Sequence, residues 1–364
     1  MIHFEKISQQ QFLQEYWQKK PLLIKQALPD FISPITSDEL AGLALEEVFE
    51  SRLITGCAGA AWSLRNGAFT EQDFLNMPAR DWTLLVQGVD RYIDEVGDLV
   101  SHFDFIPRWR FDDVMISYAT TGGSVGPHFD YYDVFLLQGT GKRRWHLSAK
   151  NCEMGNYLAG VPLRIMDKFE AEQVFVVEPG DVLYVPPKVA HHGVSLDENC
   201  TTLSFGYRAY GACELFEFMD RPCPDGMKTD YYQDPQWRDI GQPALIPDSA
   251  IRQAQILLDI DSVQFAQFVT KLDAMDVQTL QLFEYENQDE DFDVCGRYQL
   301  YSVCKIAYLQ ENNAVRMFVN GEEVEFKGVD KGDLMNFCNK RRVDSLHCSE
   351  LAKQLFEQNL IFLM

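Results

Sequence analysis

Two residues that often bind metal ions lie two positions apart in the segment GPHFDYYDVF, where His128 is followed by Asp130. Side chains at positions i and i+2 of a β-strand point to the same face, so one imidazole and one carboxylate would reach one ion. A pair of this kind is also common on the solvated face of a strand. The pair therefore indicates a metal site only together with a further ligand.

A third candidate ligand lies in the segment VPPKVAHHG, 63 residues after the first histidine. There His191 opens another extended run, which a barrel would return beside the strand of His128. Two histidines and one carboxylate on one face form the facial triad of non-haem Fe(II) oxygenases, which leaves three coordination positions open. Consecutive strand residues point to opposite faces, so we predict that His191 is the ligand and that His192 supports it or faces solvent.

A buried anion site is indicated by Arg143 in the segment GTGKRRWHLS, one predicted strand after the His128 pair. An arginine inside a barrel requires a carboxylate partner. The distal carboxylate of 2-oxoglutarate would accept two parallel hydrogen bonds from it. Alternatively, Lys142, Arg143 and Arg144 form a solvated hairpin tip, and Trp145 is most simply a core residue.

The elements that must position these residues are short extended runs between residues 110 and 210. The runs are rich in aromatic and β-branched residues: DDVMISYAT, YDVFLLQ, RRWHLS, QVFVVEP, DVLYVPP and TTLSFGYRA. Turn sequences such as TGGSVGP, GTGK and EPGD separate them, and Pro179 and Gly180 suit the two central turn positions. Short strands at this spacing predict a barrel or a double-sheet jelly roll.

Helical patterns precede and follow this β-rich region. Ser8 and either Thr36 or Ser37 suit the caps of two N-terminal helices, and KPLLIKQAL between them predicts a short strand. After the β-rich region, DSAIRQAQILLDI and SVQFAQFVTKLDAM have the apolar spacing of amphipathic helices.

The C-terminal part has a different pattern. The acidic run QDEDFD at 288–293 predicts a linker. Residues 294–364 combine a predicted helix, RYQLYSVCKIAYL, with a hairpin that turns at Asn320 and Gly321. A helix and a hairpin in a segment of this size suit a winged helix.

Composition and charge limit the function classes. The chain has 364 residues, 46% of them hydrophobic and 24% charged, which suits two or three folded domains and excludes global disorder. The net charge is −23, and residues 281–364 alone carry nine basic and fifteen acidic side chains. This charge argues against a nucleic-acid footprint and favours a basic partner. No apolar run approaches the roughly 20 residues of a membrane helix, and the first residues do not resemble a secretory signal.

Nine cysteines are scattered along the chain without a C-x-x-C pair. The odd number and the spacing argue against a disulfide scaffold and against a thiolate zinc site. We therefore expect free thiols in a reducing cytoplasm.

The order and spacing of these motifs resemble a known family. The H-F-D at 128–130, GTGKRRW, EPGDVLYVPP and the following histidine together resemble the JmjC-type Fe(II)/2-oxoglutarate hydroxylases. The segments YWQKKPLLIKQAL, DDVMIS and YYQDP are similar to the bacterial ribosomal oxygenases within that group. The resemblance is close over residues 8–235 and only architectural over the C-terminal third.

The resemblance implies a fold, a set of cofactors and a target. The fold is mainly β with α, built on the double-stranded β-helix, or jelly roll, of cupin and JmjC domains. The resemblance also implies that Arg143 binds the 5-carboxylate of 2-oxoglutarate, that O2 is the second cosubstrate, and that Fe(II) is held by three ligands: His128, Asp130 and His191. The implied reaction is hydroxylation at Cβ of an arginine in large-subunit ribosomal protein L-sixteen, in a pocket matched by four positions: Asp113, Met115, Tyr132 and Ser204.

The residue types in this pocket are compatible with an arginine guest. A guanidinium requires a carboxylate, an aromatic face and apolar walls for its stem. Strand alternation puts Tyr132 on the face of Asp130, and puts Asp113 and Met115 on one face of an earlier strand. Met115 and Tyr132 would equally serve as barrel filling. Asp113 is harder to explain in that way, because an unpaired buried carboxylate is costly.

The resemblance further implies three regions. Residues 1–210 form the catalytic domain with its jelly-roll core at about 110–210, residues 211–287 form a helical dimerisation region, and residues 288–364 form a winged-helix-like domain. We therefore expect a cytoplasmic homodimer that acts on a basic ribosomal protein. Association with membranes and direct binding of nucleic acid are not expected.

Two alternatives remain open from the sequence. The same chemistry would serve a histidine of another ribosomal protein, a methyl-lysine or an RNA. A cupin-like module that binds a metal and interacts with partners without turnover would also carry a similar ligand set.

Overall fold

The computed structural model describes residues 1–56, 61–153, 155–286, 291–311 and 314–364. The chain divides into two compact units: residues 1–103 with 112–208, and residues 104–111 with 209–364. The predicted acidic linker at 288–293 lies partly outside the described residues, and Cys57 lies wholly outside them. Within the described residues, no helix has the length and apolar character that a membrane crossing demands.

The first unit consists mainly of strands, with short helices near its N-terminus. Its elements are α1 (Gln9–Glu15), β1 (Leu22–Ile24), α2 (Ser37–Leu43), β2 (Ser51–Thr55), β3 (Ser63–Asn66), α3 (Glu71–Leu75), β4 (Trp82–Val86), α4 (Asp94–Leu99), β5 (Phe111–Ala119), β6 (Asp133–Thr140), β7 (Arg143–Ser148), β8 (Gln173–Val177), β9 (Val182–Val185), β10 (Ala190–Ser195) and β11 (Cys200–Tyr207). The predicted caps are present: the Ser8 hydroxyl accepts from Gln11 N, and Thr36 forms a reciprocal pair with Glu39.

Two sheets make up the first unit. Eight strands are ordered β1-β9-β6-β11-β5-β4-β2-β3, and three are ordered β10-β7-β8. Val134 and Leu136 of β6 pack with Trp145 and Leu147 of β7 in one apolar cluster, which joins the two sheets. This architecture confirms the predicted jelly-roll core.

The turn between β8 and β9 has the conformation that the sequence EPGD predicts. Gly180 has φ +84°, a conformation that favours glycine, and Asp181 N donates to Glu178 O at 2.9 Å. A Cβ at residue 180 would lie 2.3 Å from Leu28 O, so the position also lacks space for a side chain. The turn brings β9 against β6, with Leu136 opposite Leu183.

Strands β2, β3 and β4 extend the large sheet beyond β5 and were not predicted. Their sequences, SRLIT, SLRN and WTLLV, are short and lie close to helical patterns. Pairing along β4, with Leu85 opposite Ser117 of β5 and Arg52 of β2, fixes them in the sheet. Tertiary pairing therefore decides a segment whose local pattern is ambiguous.

The second unit combines helices with two small sheets. Its elements are α5 (Ala212–Phe218), α6 (Asp248–Leu257), α7 (Ser262–Thr270), α8 (Ala274–Glu286), β12 (Arg297–Leu300), β13 (Ile306–Glu311), β14 (Ala314–Val319), β15 (Glu322–Val324), α9 (Lys331–Lys340), β16 (Arg342–Asp344), α10 (Ser349–Glu357) and β17 (Ile361–Leu363). The sheets are ordered β16-β12-β17 and β13-β14-β15. The two amphipathic helices and the Asn320-Gly321 hairpin are confirmed, as α6, α7 and β14-β15.

Two expectations for the second unit are wrong. RYQLYSVCKIAYL forms the strands β12 and β13 rather than a helix, because its apolar residues pair with β16, β17 and β14. The expectation of free thiols fails at one place, where Cys213 in the first turn of α5 forms a disulfide with Cys223, with Cα atoms 5.0 Å apart. A separation of ten residues carries no recognisable sequence signature, whereas the fold returns the chain to the helix there.

Candidate active site

A cavity of about 580 Å³ opens in the first unit. Its wall comes from both sheets and from the loop between β7 and β8. All eight residues singled out from the sequence line it: Asp113, Met115, His128, Asp130, Tyr132, Arg143, His191 and Ser204. Volumes of this size are typical of small-molecule sites.

One backbone bridge assembles the three candidate metal ligands. His128 N donates to His191 O at 3.1 Å, and His191 N donates to His128 O at 2.8 Å. The expectation that His128 and Asp130 lie on a regular strand is wrong, because β6 begins only at Asp133 and His128 forms an isolated bridge. The extended backbone of this segment nevertheless brings one potential ligand atom from each of the three residues within 4.8 Å of the others.

The two histidines are held in the tautomer that suits a metal ligand. Nδ1 of His128 lies 3.0 Å from Gly126 O, and Nδ1 of His191 lies 3.3 Å from Val189 O. A carbonyl accepts only, so each Nδ1 carries the proton and each Nε2 keeps its lone pair. These Nε2 atoms lie 3.9 Å and 3.7 Å from Oδ2 of Asp130.

The electrostatics of the trio fit a bound cation. Burial lowers the pKa of His191 well below its ordinary value, and the neighbouring His128 adds to this shift. Burial also raises the pKa of Asp130, which His128 and a hydrogen bond from Tyr132 oppose. A divalent ion would compensate the buried carboxylate and use the neutral imidazoles directly. The donor set, two nitrogens and one carboxylate oxygen, therefore fits Fe(II).

Arg143 supplies a deeply buried positive charge at the cavity. Its side chain is 3% exposed, and neither Nε nor NH2 has a hydrogen-bond partner within the described residues. The guanidinium lies 5.6 Å from the Trp145 ring. The alternative of a solvated hairpin tip is excluded for Arg143, whereas Arg144 on the opposite face of β7 is exposed. Unpaired buried donors of this kind suit an anionic ligand.

One end of the cavity is acidic, because Asp112 and Asp113 line it. Asp113, Met115 and Ser117 follow one another along the face of β5 that lines the cavity. Oδ2 of Asp113 accepts from Gln87 Nε2 at 2.7 Å and from Gly88 N at 2.8 Å. Burial, together with the nearby carboxylates of Asp112 and Asp90, raises the pKa of Asp113 to about 7.

Tyr132 and Ser204 complete this end. Tyr132 is 42% exposed at the cavity, with its hydroxyl directed to Asp130. His192 does not line the cavity, because its ring lies 5.7 Å from the His146 ring and 6.0 Å from the Phe169 ring.

Sequence reasoning missed several lining residues, among them Arg52, Gln87 and Arg164. Arg52 comes from β2, and its NH2 lies 2.8 Å from Gln87 Oε1 and 3.9 Å from Met115 Sδ. No motif marks these positions in the sequence.

Comparisons with known proteins agree with this geometry. A family model described as a JmjC domain matches residues 98–215. The chain is 39% identical over 251 residues to the ribosomal protein uL16 3-hydroxylase of Escherichia coli strain K12, covering 68% of this chain and 66% of that protein. It is also 39% identical over 220 residues to a probable ribosomal oxygenase of Haemophilus influenzae, covering 60% of this chain and 54% of that protein.

A solved structure extends the similarity over the whole length. The Escherichia coli protein YcfD matches with a TM-score of 0.73 and 28% identity, covering 100% of both chains. A structure of YcfD described as a ribosomal oxygenase in complex with cobalt and 2-oxoglutarate matches with a TM-score of 0.69 and 27% identity over 98% of each chain. That protein binds a metal and 2-oxoglutarate in the same fold.

Proposed function

Since the chain belongs to the JmjC-type ribosomal oxygenases, we propose that it is an Fe(II)- and 2-oxoglutarate-dependent hydroxylase of an arginine in ribosomal protein uL16. The observation that carries the proposal is the cavity that combines the His128–Asp130–His191 trio with the unpaired guanidinium of Arg143. A metal trio alone would also suit a binding module. The additional buried cation favours an enzyme that takes a dicarboxylate cosubstrate.

His128, Asp130 and His191 are the residues that would hold Fe(II). When bound, the ion supplies the redox chemistry that couples reduction of O2 to decarboxylation of 2-oxoglutarate. The protein orients the ligands, because the carbonyls of Gly126 and Val189 fix both imidazole tautomers. Three protein ligands leave room for the cosubstrate.

Arg143 would bind the 5-carboxylate of 2-oxoglutarate. A guanidinium in an apolar wall recognises a carboxylate with two parallel hydrogen bonds and excludes water from it. The apolar residues around it, including Trp145 and Leu136, strengthen this interaction by lowering the local dielectric.

The target side chain would be an arginine because the entrance combines carboxylates with an apolar and aromatic wall. Asp113 and Asp112 attract a guanidinium, while Met115 and Tyr132 would contact its stem. Ser204 would contribute a hydroxyl at the same wall. A histidine target would not require this pair of carboxylates, and it is therefore the second candidate in the test below.

We also propose that the protein works as a cytoplasmic homodimer on a basic partner. The dimerisation region at 211–287 contains α6 and α8, on which Ile256 and Leu282 are 72% and 48% exposed. The net charge of −23 suits a basic ribosomal protein and disfavours direct nucleic-acid binding. The winged-helix-like assignment of 288–364 is supported by β13-β14-β15 with α9.

The test uses purified protein with Fe(II), ascorbate, 2-oxoglutarate and air. Unmodified uL16 from the same source is offered in parallel with a histidine-containing ribosomal protein. Succinate formation and the mass of each peptide are followed together. The Asp130→Ala variant is the control, because it removes one candidate ligand and leaves the backbone bridge between His128 and His191 without a changed residue.

The proposal predicts one added oxygen on one arginine of uL16, matched by succinate and absent in Asp130→Ala. Oxygen on the histidine protein alone would assign the alternative target. Succinate without any modified protein would support the oxygenase activity and contradict the proposed substrate. Neither product from metal-loaded protein would favour the non-catalytic module.

A further inference from the structure

Three polar side chains that line the acidic end of the cavity are joined by hydrogen bonds. Arg52 NH2 donates to Gln87 Oε1 at 2.8 Å, and Gln87 Nε2 donates to Asp113 Oδ2 at 2.7 Å. The three residues come from β2, from the residue after β4 and from β5, which are neighbours in the large sheet. The sheet register therefore brings together residues that are 61 positions apart in sequence.

These hydrogen bonds fix the orientation of the Gln87 side-chain amide. An arginine only donates, so the side of Gln87 that faces Arg52 must be its oxygen. The amide nitrogen then necessarily faces Asp113. Without Arg52, a flipped amide would direct its oxygen at the carboxylate and repel it.

The consequence for Asp113 concerns its two oxygens. Oδ2 accepts from both Gln87 and the backbone N–H of Gly88, which lies 2.8 Å away. Within the described residues, Oδ1 has no hydrogen-bond donor, and Asp113 lines the cavity. The Asp113 carboxylate is thus held through Oδ2, and its Oδ1 is left to accept a hydrogen bond from a ligand.

We propose that Arg52 is a positioning residue for substrate selection, which acts through Gln87 to hold Asp113 as an oriented acceptor for a guanidinium. The inference rests on the proposed function and deepens it, because it names the device that favours a cationic target over a neutral one of the same shape. Donors to Oδ2 stabilise the charged form of the carboxyl. Burial and the carboxylates of Asp112 and Asp90 raise the pKa of Asp113, whereas the hydrogen bond from Gln87 and the positive charge of Arg91 oppose this shift.

The test compares an arginine peptide of uL16 with the same peptide carrying citrulline, a neutral isostere. The variants are Arg52→Met, Arg52→Lys, Gln87→Leu and the double variant Arg52→Met/Gln87→Leu. Arg65→Met is the matched control, because Arg65 lies on the neighbouring β3, is exposed and pairs with Asp73 away from the cavity. Hydroxylation is measured as kcat/KM for each peptide, and thermal melts check folding.

The expected result is a selective loss. In Arg52→Met, the ratio of kcat/KM for arginine over citrulline falls about tenfold, which corresponds to one charge-assisted hydrogen bond. Gln87→Leu gives the same fall, the double variant gives no further fall, and Arg52→Lys retains part of the ratio because it still donates. Arg65→Met leaves the ratio unchanged.

A structural role for Arg52 would lower both peptides equally and leave the ratio unchanged, which would overturn the inference alone. Additive losses in the double variant would also overturn it, because Arg52 would then act independently of Gln87. A wild-type protein that does not hydroxylate the arginine peptide would contradict the proposed function itself, and with it the inference.

Discussion

Replacing Arg143 by methionine should weaken the binding of 2-oxoglutarate and, at the same time, stabilise the ligand-free protein. The side chain is 3% exposed, and its Nε and NH2 lack hydrogen-bond partners within the described residues. A residue retained for folding would be paired. A residue retained for an anion leaves its donors unsatisfied until the ligand arrives.

The two effects have different magnitudes. Removing one partner of a buried ion pair costs about 3–5 kcal/mol, so the Kd of 2-oxoglutarate should rise by roughly 10² to 4 × 10³. Removing unsatisfied buried donors should return about 1–3 kcal/mol to the free energy of unfolding. For a unit of this size, each kcal/mol raises Tm by about 2–4 °C.

Both quantities can be measured on the same preparations. Calorimetric titration of cobalt-loaded protein gives the Kd of 2-oxoglutarate without turnover, and thermal melts of metal-free protein give Tm. Arg144→Met is the matched control, because Arg144 is the next residue of β7 and is exposed on its other face. The control should change neither quantity appreciably.

An Arg143→Met variant that binds 2-oxoglutarate within twofold of the wild type would refute the assignment of the anion site. A large fall in the Tm of Arg143→Met would contradict the predicted stabilisation. It would mean that Arg143 stabilises the ligand-free fold.

Three further predictions follow from the site and from the second unit. The pKa of Asp113 is raised to about 7, so only about one tenth is ionised at pH 6, and KM for an arginine peptide should fall about tenfold between pH 6 and 8; a flat KM would contradict its role. Because the folded protein binds this proton more tightly than the unfolded chain, stability decreases as pH rises from about 4 to 7. Asp113→Asn should therefore be more stable than the wild type at pH 8, by on the order of 2–4 kcal/mol in urea unfolding, and similar to it near pH 4. Cys213→Ser should lose about 3 kcal/mol without reductant, given the ten-residue separation, and dithiothreitol should abolish the difference; equal stability under both conditions would mean that the bond does not form.

The sequence predicted the residues of the cavity better than the elements that carry them. His128, Asp130 and His191 were identified from residue type and spacing, because few side chains suit a metal and their order along a jelly roll is restrictive. The regular strand assumed for Asp130 is absent, and a single bridge between the two histidines performs the same task. Extended backbone preserves the i, i+2 relation even outside a ladder.

Residues that act through other residues escaped prediction. Arg52 and Gln87 have no motif, and their connection to Asp113 depends on the register of three strands. The same limitation explains RYQLYSVCKIAYL, whose apolar spacing suits a helix but whose partners lie in β14, β16 and β17. Local pattern does not specify pairings between distant segments.

The most direct test of the account uses isotopically heavy O2. The protein, Fe(II), 2-oxoglutarate and uL16 are incubated under this gas, and the modified arginine is analysed by peptide mass spectrometry, with His191→Ala as the control. The account predicts that one heavy oxygen atom appears on one arginine and that a second appears in succinate, in equal amounts, and that neither appears in the control. Heavy oxygen in succinate with none on uL16, or an oxygen on arginine that derives from water, would contradict the proposed hydroxylation.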